Sequence, residues 1–335
     1  MQNFLSKRSQ QVAIGNALSI PLPVSSGVPQ GSVIGPLLFT LYIDDITYCS
    51  NILQNTGDIA LFADDTKLFS TDSKLLQTSL DQLISWTKTR QLLAPNKCFS
   101  LQICKPSKKD LVDFTMDGYK LSSISAMKDL GIYISSDLKW STHVTSIYKK
   151  AALVSYQLLK SFQTRNLNTL LKLYITYVRP KLEHNTSLWS PSLKGDILQL
   201  ESIQRSYTRR IFMRCGIPFS SYTDRLKKSN LKSLQYRRSA FDLQLIFKII
   251  NGLSDLNFED YFTFRRVTYN IRGNTKKIDT IYNSKNPNWI NSFFVRGARL
   301  WNLLPDQICN SKTFNEFKTK INNYDLSPHI TQFLN

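Results

Sequence analysis

The period of the apolar residues changes near residue 141, and this change constrains the fold more than any other feature of the sequence. Before it, short strand-like runs alternate with turn residues around two helical patterns, one beginning near Pro36 and one at residues 73–94. After it, apolar residues recur at helical spacing. One such stripe consists of Ile147, Ala151, Val154 and Leu158. The sequence therefore predicts an α+β fold whose second part is helical.

Charge follows the same division. The 335 residues carry a net charge of +19. Residues 1–126 hold 11 basic and 10 acidic residues, whereas residues 127–335 hold 32 and 14. A basic excess of this size favours a polyanionic partner, either nucleic acid or an acidic membrane surface. The alternative is a soluble basic protein without such a partner.

Cysteine usage and the N-terminal sequence bear on the compartment. The five cysteines form no CxxC pair, and the three histidines complete no zinc pattern, so we expect free thiols in a reducing compartment. The N-terminus has no apolar core typical of a secretory signal. The longest apolar run, Val33–Ile43, is too short to span a bilayer. We expect a protein of the nucleus or cytoplasm, not secreted and not in a membrane.

Residues 58–69 (DIALFADDTKLF) are predicted to form a β-hairpin, because apolar runs flank Asp64 and Asp65 on both sides. Adjacent carboxylates repel each other, and we expect the apolar strands to keep water from them. Divalent metal ions relieve this repulsion, and two ions about 3.5–4 Å apart clamp the reacting oxygens in nucleotidyl transfer. A solvated Asp-Asp turn without metal is the alternative.

A second pair of acids, Asp44 and Asp45, follows an aromatic residue in the same way. This pair comes after a helical run and does not lie between two strands. We therefore interpret these residues as exposed acids at a helix end.

A turn-forming segment, SSGVPQGS, comes before that helical run at residues 25–32. Gly31 would let the backbone approach a ligand closely, and Gln30 offers a donor and an acceptor to a base or sugar. An ordinary loop before a helix is the alternative.

These motifs occur in a recognisable order. Residues 27–42 (GVPQGSVIGPLLFTLY) resemble the block before the catalytic hairpin of non-LTR, LINE-type reverse transcriptases, including the jockey-like group, and Phe62–Asp65 resembles their aromatic-Ala-Asp-Asp box. Residues 96–98 (NKC) and 128–132 (KDLGI) resemble the next block and the primer grip. Residues 174–189, Gln204 with Arg209-Arg210, and residues 300–305 (LWNLLP) resemble the thumb and tail.

The resemblance implies roles for individual residues and for partners. Asp64 and Asp65 would hold the metals of a two-ion Mg²⁺ site, and Lys97 is a candidate general acid or a solvated surface lysine. The residues next to the template, nucleotide and primer end would be Pro29, Gln30, Gly31 and Phe62. Leu130 and Gly131 would seat the primer. The implied partners are an RNA template, a DNA primer and dNTP, with backbone contacts through the basic helices.

One expected element is missing from the sequence. In the family an earlier strand carries another metal-binding aspartate, but residues 1–43 contain no Asp or Glu. We therefore expect a truncated polymerase with an incomplete metal site, which is inactive alone because losing a ligand lowers the rate by orders of magnitude. The alternatives are a catalytically dead remnant that still binds RNA or RNA–DNA hybrid, and a relic without function.

The expected organisation follows from the resemblance and the change of period. A truncated palm of antiparallel strands and helices would occupy residues 1–126, and primer-grip strands residues 127–140. A helical thumb would occupy residues 141–250, and a basic C-terminal region of uncertain order residues 251–335.

Overall fold

The computed structural model describes residues 5–25, 27–47, 58–90, 97–103, 112–218, 220–265, 275–282 and 284–330. The chain divides into two compact units. The first unit comprises Met1–Gln102 and Pro106–Ile124, and the second comprises Ile103–Lys105 and Ser125–Asn335. Helices and short strands occur together, so the expected α+β class is confirmed. The described part of the chain contains no helix with the length and apolarity needed to cross a membrane.

The first unit contains ten short strands in its described residues. They are β1 (Ser9–Gln10), β2 (Ala13–Ile14), β3 (Ala17–Leu18), β4 (Leu22–Pro23), β5 (Asp58–Phe62), β6 (Asp65–Phe69), β7 (Phe99–Leu101), β8 (Thr115–Met116), β9 (Tyr119–Lys120) and β10 (Ser122–Ile124). Strand β1 pairs with β4, and the two strands between them in sequence, β2 and β3, pair with each other. Strand β5 pairs with β6, and β8 pairs with β9. All four pairs are antiparallel. Only β7 and β10 pair in parallel among these described strands.

Two helices accompany these strands, and they differ in how much they bury. Helix α1 (Gly35–Ile43) is apolar on all sides but buries only Gly35. Helix α2 (Ser73–Arg90) buries one face, so that Leu80 and Ile84 pack against residues around β8. The helical pattern predicted for residues 73–94 thus forms a helix up to residue 90, and residues 91–94 lie outside the described part. The core of this unit is small.

The second unit begins with the hairpin of β11 (Ala126–Asp129) and β12 (Ile132–Ser135) and continues mainly as helices. The helices are α3 (Ser141–Ser161), α4 (Leu167–Leu173), a π-helix (Tyr174–Val178), α5 (Arg179–Glu183), α6 (Thr186–Trp189), α7 (Lys194–Arg214), α8 (Tyr222–Lys228), α9 (Leu234–Ile250), α10 (Pro287–Ile290), α11 (Phe293–Asn302), α12 (Asp306–Cys309) and α13 (Phe314–Asn323). Strands β13 (Phe262–Phe264) and β14 (Ile278–Thr280) form one further hairpin-like pair.

The predicted apolar stripes form the main core of the second unit. Ile147 and Ala151 of α3 pack with Leu200 and Ile211 of α7, each at most 7% exposed. The side chains of Tyr174 and Tyr207 meet in this core with ring centroids 5.0 Å apart. Because helical spacing places such residues on one face, this core follows directly from the sequence pattern.

A second core lies in the described part of residues 236–330, and from residue 254 onward the sequence shows no clear period. Phe247 of α9 stacks on Phe317 of α13 with ring centroids 4.4 Å apart, and Trp301 of α11 packs against Phe317. All three side chains are at most 1% exposed. The C-terminal region is therefore built around aromatic residues that α9 and two later helices supply.

Candidate functional site

The hairpin that carries the paired acids forms over the predicted residues. Register pairs run from Asp58 opposite Phe69 to Phe62 opposite Asp65. The two-residue turn therefore consists of Ala63 and Asp64, one position earlier than the Asp64-Asp65 turn that the acids suggest, and Asp65 begins β6. Ala63 has φ +52°, a left-handed conformation that non-glycine residues seldom adopt. The turn thus presents two successive carboxylates at the hairpin tip.

The surroundings of these carboxylates differ from the expectation that apolar strands exclude water from them. Asp64 and Asp65 are both exposed, and the side chain of Phe62 is 60% exposed. Within the described residues, neither carboxylate takes part in a hydrogen bond or ion pair. The expectation was wrong because two strands alone cannot cover their own turn. The carboxylate oxygens are therefore open to an external cation.

The second pair of acids has a different environment. Asp44 starts a short 3₁₀-helix and is exposed, as expected, but Asp45 is half-buried and forms an ion pair with Arg90 at the end of α2. The guanidinium carbon of Arg90 lies 5.0 Å from the centroid of the Tyr42 ring, and the Tyr42 hydroxyl donates to the Arg90 carbonyl at 3.2 Å. The expected exposure of Asp45 is thus wrong, because this acid ties α1 to α2.

The loop before α1 is organised by its own hydrogen bonds. The Ser32 hydroxyl donates to the Pro29 carbonyl at 2.7 Å and accepts from the Gly35 N–H at 3.0 Å. Gly31 has φ +79° and open space where a Cβ would stand, and Gln30 is exposed. Among the described residues, no hydrogen bond or ion pair joins this loop to the hairpin tip. The Gln30 side chain and the backbone at Gly31 are therefore accessible to a ligand.

Lys97 lies two residues before β7 and is exposed. Its neighbour Cys98 is half-buried against the small core of the first unit, and burial raises the pKa of that thiol. Asn96, the first residue of this predicted block, lies outside the described residues. Lys97 is thus accessible, and within the described parts of the chain no hydrogen bond or ion pair fixes its position.

The predicted primer-grip residues form the turn between β11 and β12. Leu130 and Gly131 have φ +44° and +92°, and the Leu130 side chain is 46% exposed. Positive φ at leucine is unfavourable and is retained only where the surroundings demand it. A Cβ built on Gly131 would lie 3.8 Å from His184 Nε2. The turn therefore packs beside the residue that follows α5.

A buried histidine lies behind this turn. The Tyr133 N–H donates to His143 Nδ1 at 3.2 Å, and the His143 ring meets the Trp189 ring edge to face at 4.7 Å. Burial, and then the charges of His184 and Lys150, lower the pKa of His143 to about 4. The imidazole is therefore neutral at physiological pH and supports β12 from within the second unit.

Within the described residues, no three His, Cys, Asp or Glu side chains converge on one point. The hairpin tip supplies two carboxylates, and hard cations such as Mg²⁺ prefer oxygen ligands. Asp64 and Asp65 thus fit one side of a magnesium site and do not form a complete ligand set by themselves.

Residues of one further surface were missed in the sequence. Tyr177, Lys181 and His184 lie on one exposed side of the π-helix and α5. The available signal was the absence of any Asp or Glu from residues 138–182, a stretch with eight Lys or Arg residues. Helical spacing of the apolar residues indicates which positions are buried and does not show which exposed residues share a surface.

Comparison with known proteins gives the same family as the motifs. Residues 1–121 match the sequence model of the family described as reverse transcriptase (RNA-dependent DNA polymerase). An uncharacterized protein of Caenorhabditis elegans is 34% identical over 126 residues, covering 38% of this chain and 64% of that protein. No solved structure matches the chain.

Transposon proteins match longer stretches. The RNA-directed DNA polymerase from mobile element jockey of Drosophila melanogaster is 25% identical over 225 residues, covering 63% of this chain and 24% of that protein. A Pol polyprotein from the type-1 retrotransposable element R2 of Popillia japonica is 25% identical over 288 residues, covering 78% and 46%. The chain thus spans a quarter to a half of these relatives. Residues 1–121 are thus similar to the reverse transcriptase family, and over most of its length the chain is similar to polymerases of non-LTR transposons, the jockey element among them.

Proposed function

We propose that this chain supplies part of the catalytic centre and of the nucleic-acid surface of an RNA-directed DNA polymerase from a non-LTR retrotransposon. The reaction is nucleotidyl transfer that copies RNA into DNA from a primer 3′ end. The observation that carries the proposal is the β5–β6 tip, where Asp64 and Asp65 are exposed and form no hydrogen bond or ion pair with the other residues that the structure describes. A structural Asp-Asp pair would have formed contacts of the kind that Asp45 makes with Arg90.

The metal would be held from one side by this tip. Asp64 would be a direct ligand of Mg²⁺ and Asp65 its partner, and both offer carboxylate oxygens of the kind this ion prefers. When bound, the two ions of such a site stabilise the charge that develops on the attacking and leaving oxygens. The turn at Ala63 fixes the spacing of the carboxylates, while the adjacent Phe62 ring would border the primer terminus.

The accessible loop would bind the other reactants. Gln30 offers its amide to a base or sugar, and the backbone at Gly31 allows close approach because no side chain intervenes. Pro29 completes this border of the template and nucleotide. In the second unit, Leu130 and Gly131 would seat the primer strand.

The domain assignments belong to the same proposal. Residues 1–126 would form the palm, residues 127–140 the primer grip and residues 141–250 the thumb. Lys97 would protonate the departing pyrophosphate as general acid; its exposure leaves it free to move toward a bound nucleotide.

We further propose that residues 1–335 do not polymerise alone. Residues 1–43 contain no acidic side chain, and Asp45 is engaged by Arg90, so neither adds a ligand to the Asp64 pair. Primer extension on an RNA template with Mg²⁺ tests this directly, with Asp64→Ala as the control. Synthesis that depends on Asp64 would overturn the proposed inactivity while supporting the proposed chemistry.

A chimera tests the chemistry separately from the activity of this chain. In it, residues 27–121 replace the matching segment of the jockey polymerase, which retains its own remaining domains. We expect Mg²⁺-dependent synthesis that Asp64→Ala abolishes and Asp44→Ala leaves largely intact. Synthesis unaffected by Asp64→Ala would contradict the assignment of the catalytic pair.

The second candidate function is a nucleic-acid-binding remnant without catalysis. The observation that favours it is the net charge of +18 over residues 127–335. This function predicts that the chain binds RNA–DNA hybrid tightly and in a salt-dependent way. It also predicts that the chimera with the jockey polymerase is inactive. An active chimera would argue against it.

A further inference from the structure

One stretch of the second unit carries positive charge and no acidic residue of its own. Residues 138–182 form α3, α4, the π-helix and most of α5, and they contain eight Lys or Arg residues and no Asp or Glu. The first acid after them, Glu183, is engaged by Arg237 and Arg179. The side chains of these elements therefore give an approaching anion positive charge and no negative charge from the stretch itself.

The outer face of α3 combines these charges with large apolar side chains. Lys149, Leu153, Tyr156 and Lys160 fall at helical spacing on one exposed stripe. The side chains of Leu153 and Tyr156 are 56% and 55% exposed. Exposed apolar and aromatic groups between lysines suit a partner that has both negative charge and flat apolar faces.

A groove runs beside this stripe, between α3 and the segment formed by the π-helix and α5. It opens into two adjoining cavities of about 140 and 470 Å³, which share Val154 and Tyr177 as lining residues. Phe162 lines the smaller cavity, while Lys181 and His184 line the larger. The larger cavity falls in the range of about 300–1,000 Å³ found for small-molecule sites, which is room for a nucleotide.

The backbone at Tyr177 is held in place by buried neighbours on the same π-helix. Tyr174 and Val178, on the same π-helix, are fully buried, and the Tyr174 hydroxyl donates to Gln204 Oε1 at 2.9 Å. Tyr177 itself is 54% exposed. A π-turn widens the helix locally, and such turns occur often at functional positions. The buried neighbours therefore fix the backbone while the Tyr177 ring faces the solvent.

The groove also reaches the turn that the proposed function assigns to the primer. His184, which lines the larger cavity, lies next to Gly131, and the exposed Leu130 side chain belongs to the same turn. A strand passing over the turn would therefore meet His184, Lys181 and Tyr177 in succession.

We propose that this groove binds a single-stranded stretch of nucleic acid, with the Tyr177 ring stacked on one base and Lys181 and His184 contacting its phosphates. The proposal rests on the proposed function and adds a subsite to it. Stacking on aromatic rings combined with a basic groove is how proteins hold single strands without reading their sequence. A duplex fits less well, because its bases are already stacked and offer no free face to Tyr177.

Fluorescence anisotropy with the whole 335-residue chain tests the proposal. The probes are labelled RNA and DNA oligonucleotides of about 12 nucleotides and an RNA–DNA hybrid of the same length. We expect Tyr177→Ala to weaken single-strand binding roughly tenfold and Tyr177→Phe to leave it near the wild-type value. Tyr282→Ala is the matched control, since Tyr282 is also exposed in the second unit.

The lysine is tested through salt dependence. Lys181→Ala should reduce the slope of log affinity against log salt concentration by about one unit. Lys318→Ala is the control, since Lys318 is also exposed, and this variant should keep the wild-type affinity and slope. Hybrid binding should be insensitive to Tyr177→Ala. Equal weakening of both probes, or of neither, would overturn the single-strand assignment.

The outcomes separate this inference from the proposed function. If binding depends on salt but is unchanged in Tyr177→Ala, the groove assignment is overturned. The polymerase proposal stays intact, since it depends on Asp64. An inactive chimera, together with weaker single-strand binding by Tyr177→Ala, would overturn the polymerase proposal and leave the groove assignment intact. Self-association abolished by Tyr177→Ala, with unchanged oligonucleotide binding, would assign the groove to a second copy of the chain and overturn the proposal.

Discussion

Asp45 forms an ion pair with Arg90 across 45 residues of sequence. The pair stands beside the Tyr42 and Trp86 rings, so the guanidinium has two aromatic neighbours as well as a carboxylate. Of the two Asp-Asp pairs in the first unit, one therefore serves the fold, and the other remains open at a hairpin tip.

The Arg90 contacts give the first prediction. Arg90→Met should lower the free energy of unfolding by about 1–2 kcal/mol, because it removes a partly buried ion pair and a cation–π contact. Urea denaturation measures this change. Lys88→Met is the control, since its ion pair with Asp117 is more exposed and should contribute at most about 0.5 kcal/mol. Equal losses in both variants would contradict the special role of Arg90.

The second prediction concerns cation binding at the hairpin tip. Mn²⁺, used as a paramagnetic substitute for Mg²⁺, should broaden the amide NMR signals around Asp64 and Asp65 before those around Asp44 and Asp45. Asp64→Asn together with Asp65→Asn should remove the effect, since amides are weaker ligands than carboxylates. Broadening that favours the Asp44 region, or that survives the double substitution, would count against the assigned metal ligands.

The third prediction concerns the pH dependence of the second unit. The pKa of His143 lies at about 4 in the folded chain, below its ordinary value of 6.5. Between these values the unfolded chain binds more protons, so stability is highest above pH 6.5 and falls as the pH drops toward 4. The loss should reach about 2–3 kcal/mol near pH 4.

His143→Gln tests this by thermal unfolding at pH 7 and pH 4.5. We expect the variant to be less stable at pH 7 and to lose less stability than the wild type on acidification. His184→Gln provides the comparison, because His184 is exposed. A steeper acid dependence in the His143 variant would show that other groups dominate.

The fourth prediction concerns a buried acid between α7, α8 and α9. Glu201 accepts hydrogen bonds from the Tyr222 hydroxyl and from the Leu234 N–H at 3.0 Å, and burial raises the pKa of its carboxyl. Glu201→Ala should lower the free energy of unfolding by about 2–4 kcal/mol, since both donors lose their acceptor inside the core. Glu201→Gln keeps an acceptor and should be milder. Urea denaturation of both variants provides the measurement, and equal losses would contradict the hydrogen-bond argument.

The parts of the fold that depend on local sequence could be predicted. The β5–β6 hairpin follows from apolar runs on both sides of a turn, and the α3 and α7 stripes follow from helical spacing. The turn itself lies one residue earlier than expected, because strand pairing includes Asp65.

The parts that depend on distant packing could not be predicted. The exposure of Asp64 depends on whether other elements pack over the hairpin tip. The Asp45–Arg90 ion pair joins residues far apart in sequence. The π-turn at Tyr174–Val178 could not be predicted, because burial of residues four apart is equally compatible with an ordinary α-helix. The aromatic spacing of the C-terminal core follows no single period, because its residues come from several short helices.

Helix α9 contributes Leu234 to the first core of the second unit and Phe247 to the second core. The Tyr236 hydroxyl donates to the Ile321 carbonyl at 2.7 Å, which fastens the helix to α13. A chain cut after residue 250 would keep every residue of α9 but leave its second face bare to water. The basic helices and the C-terminal residues should accordingly unfold together.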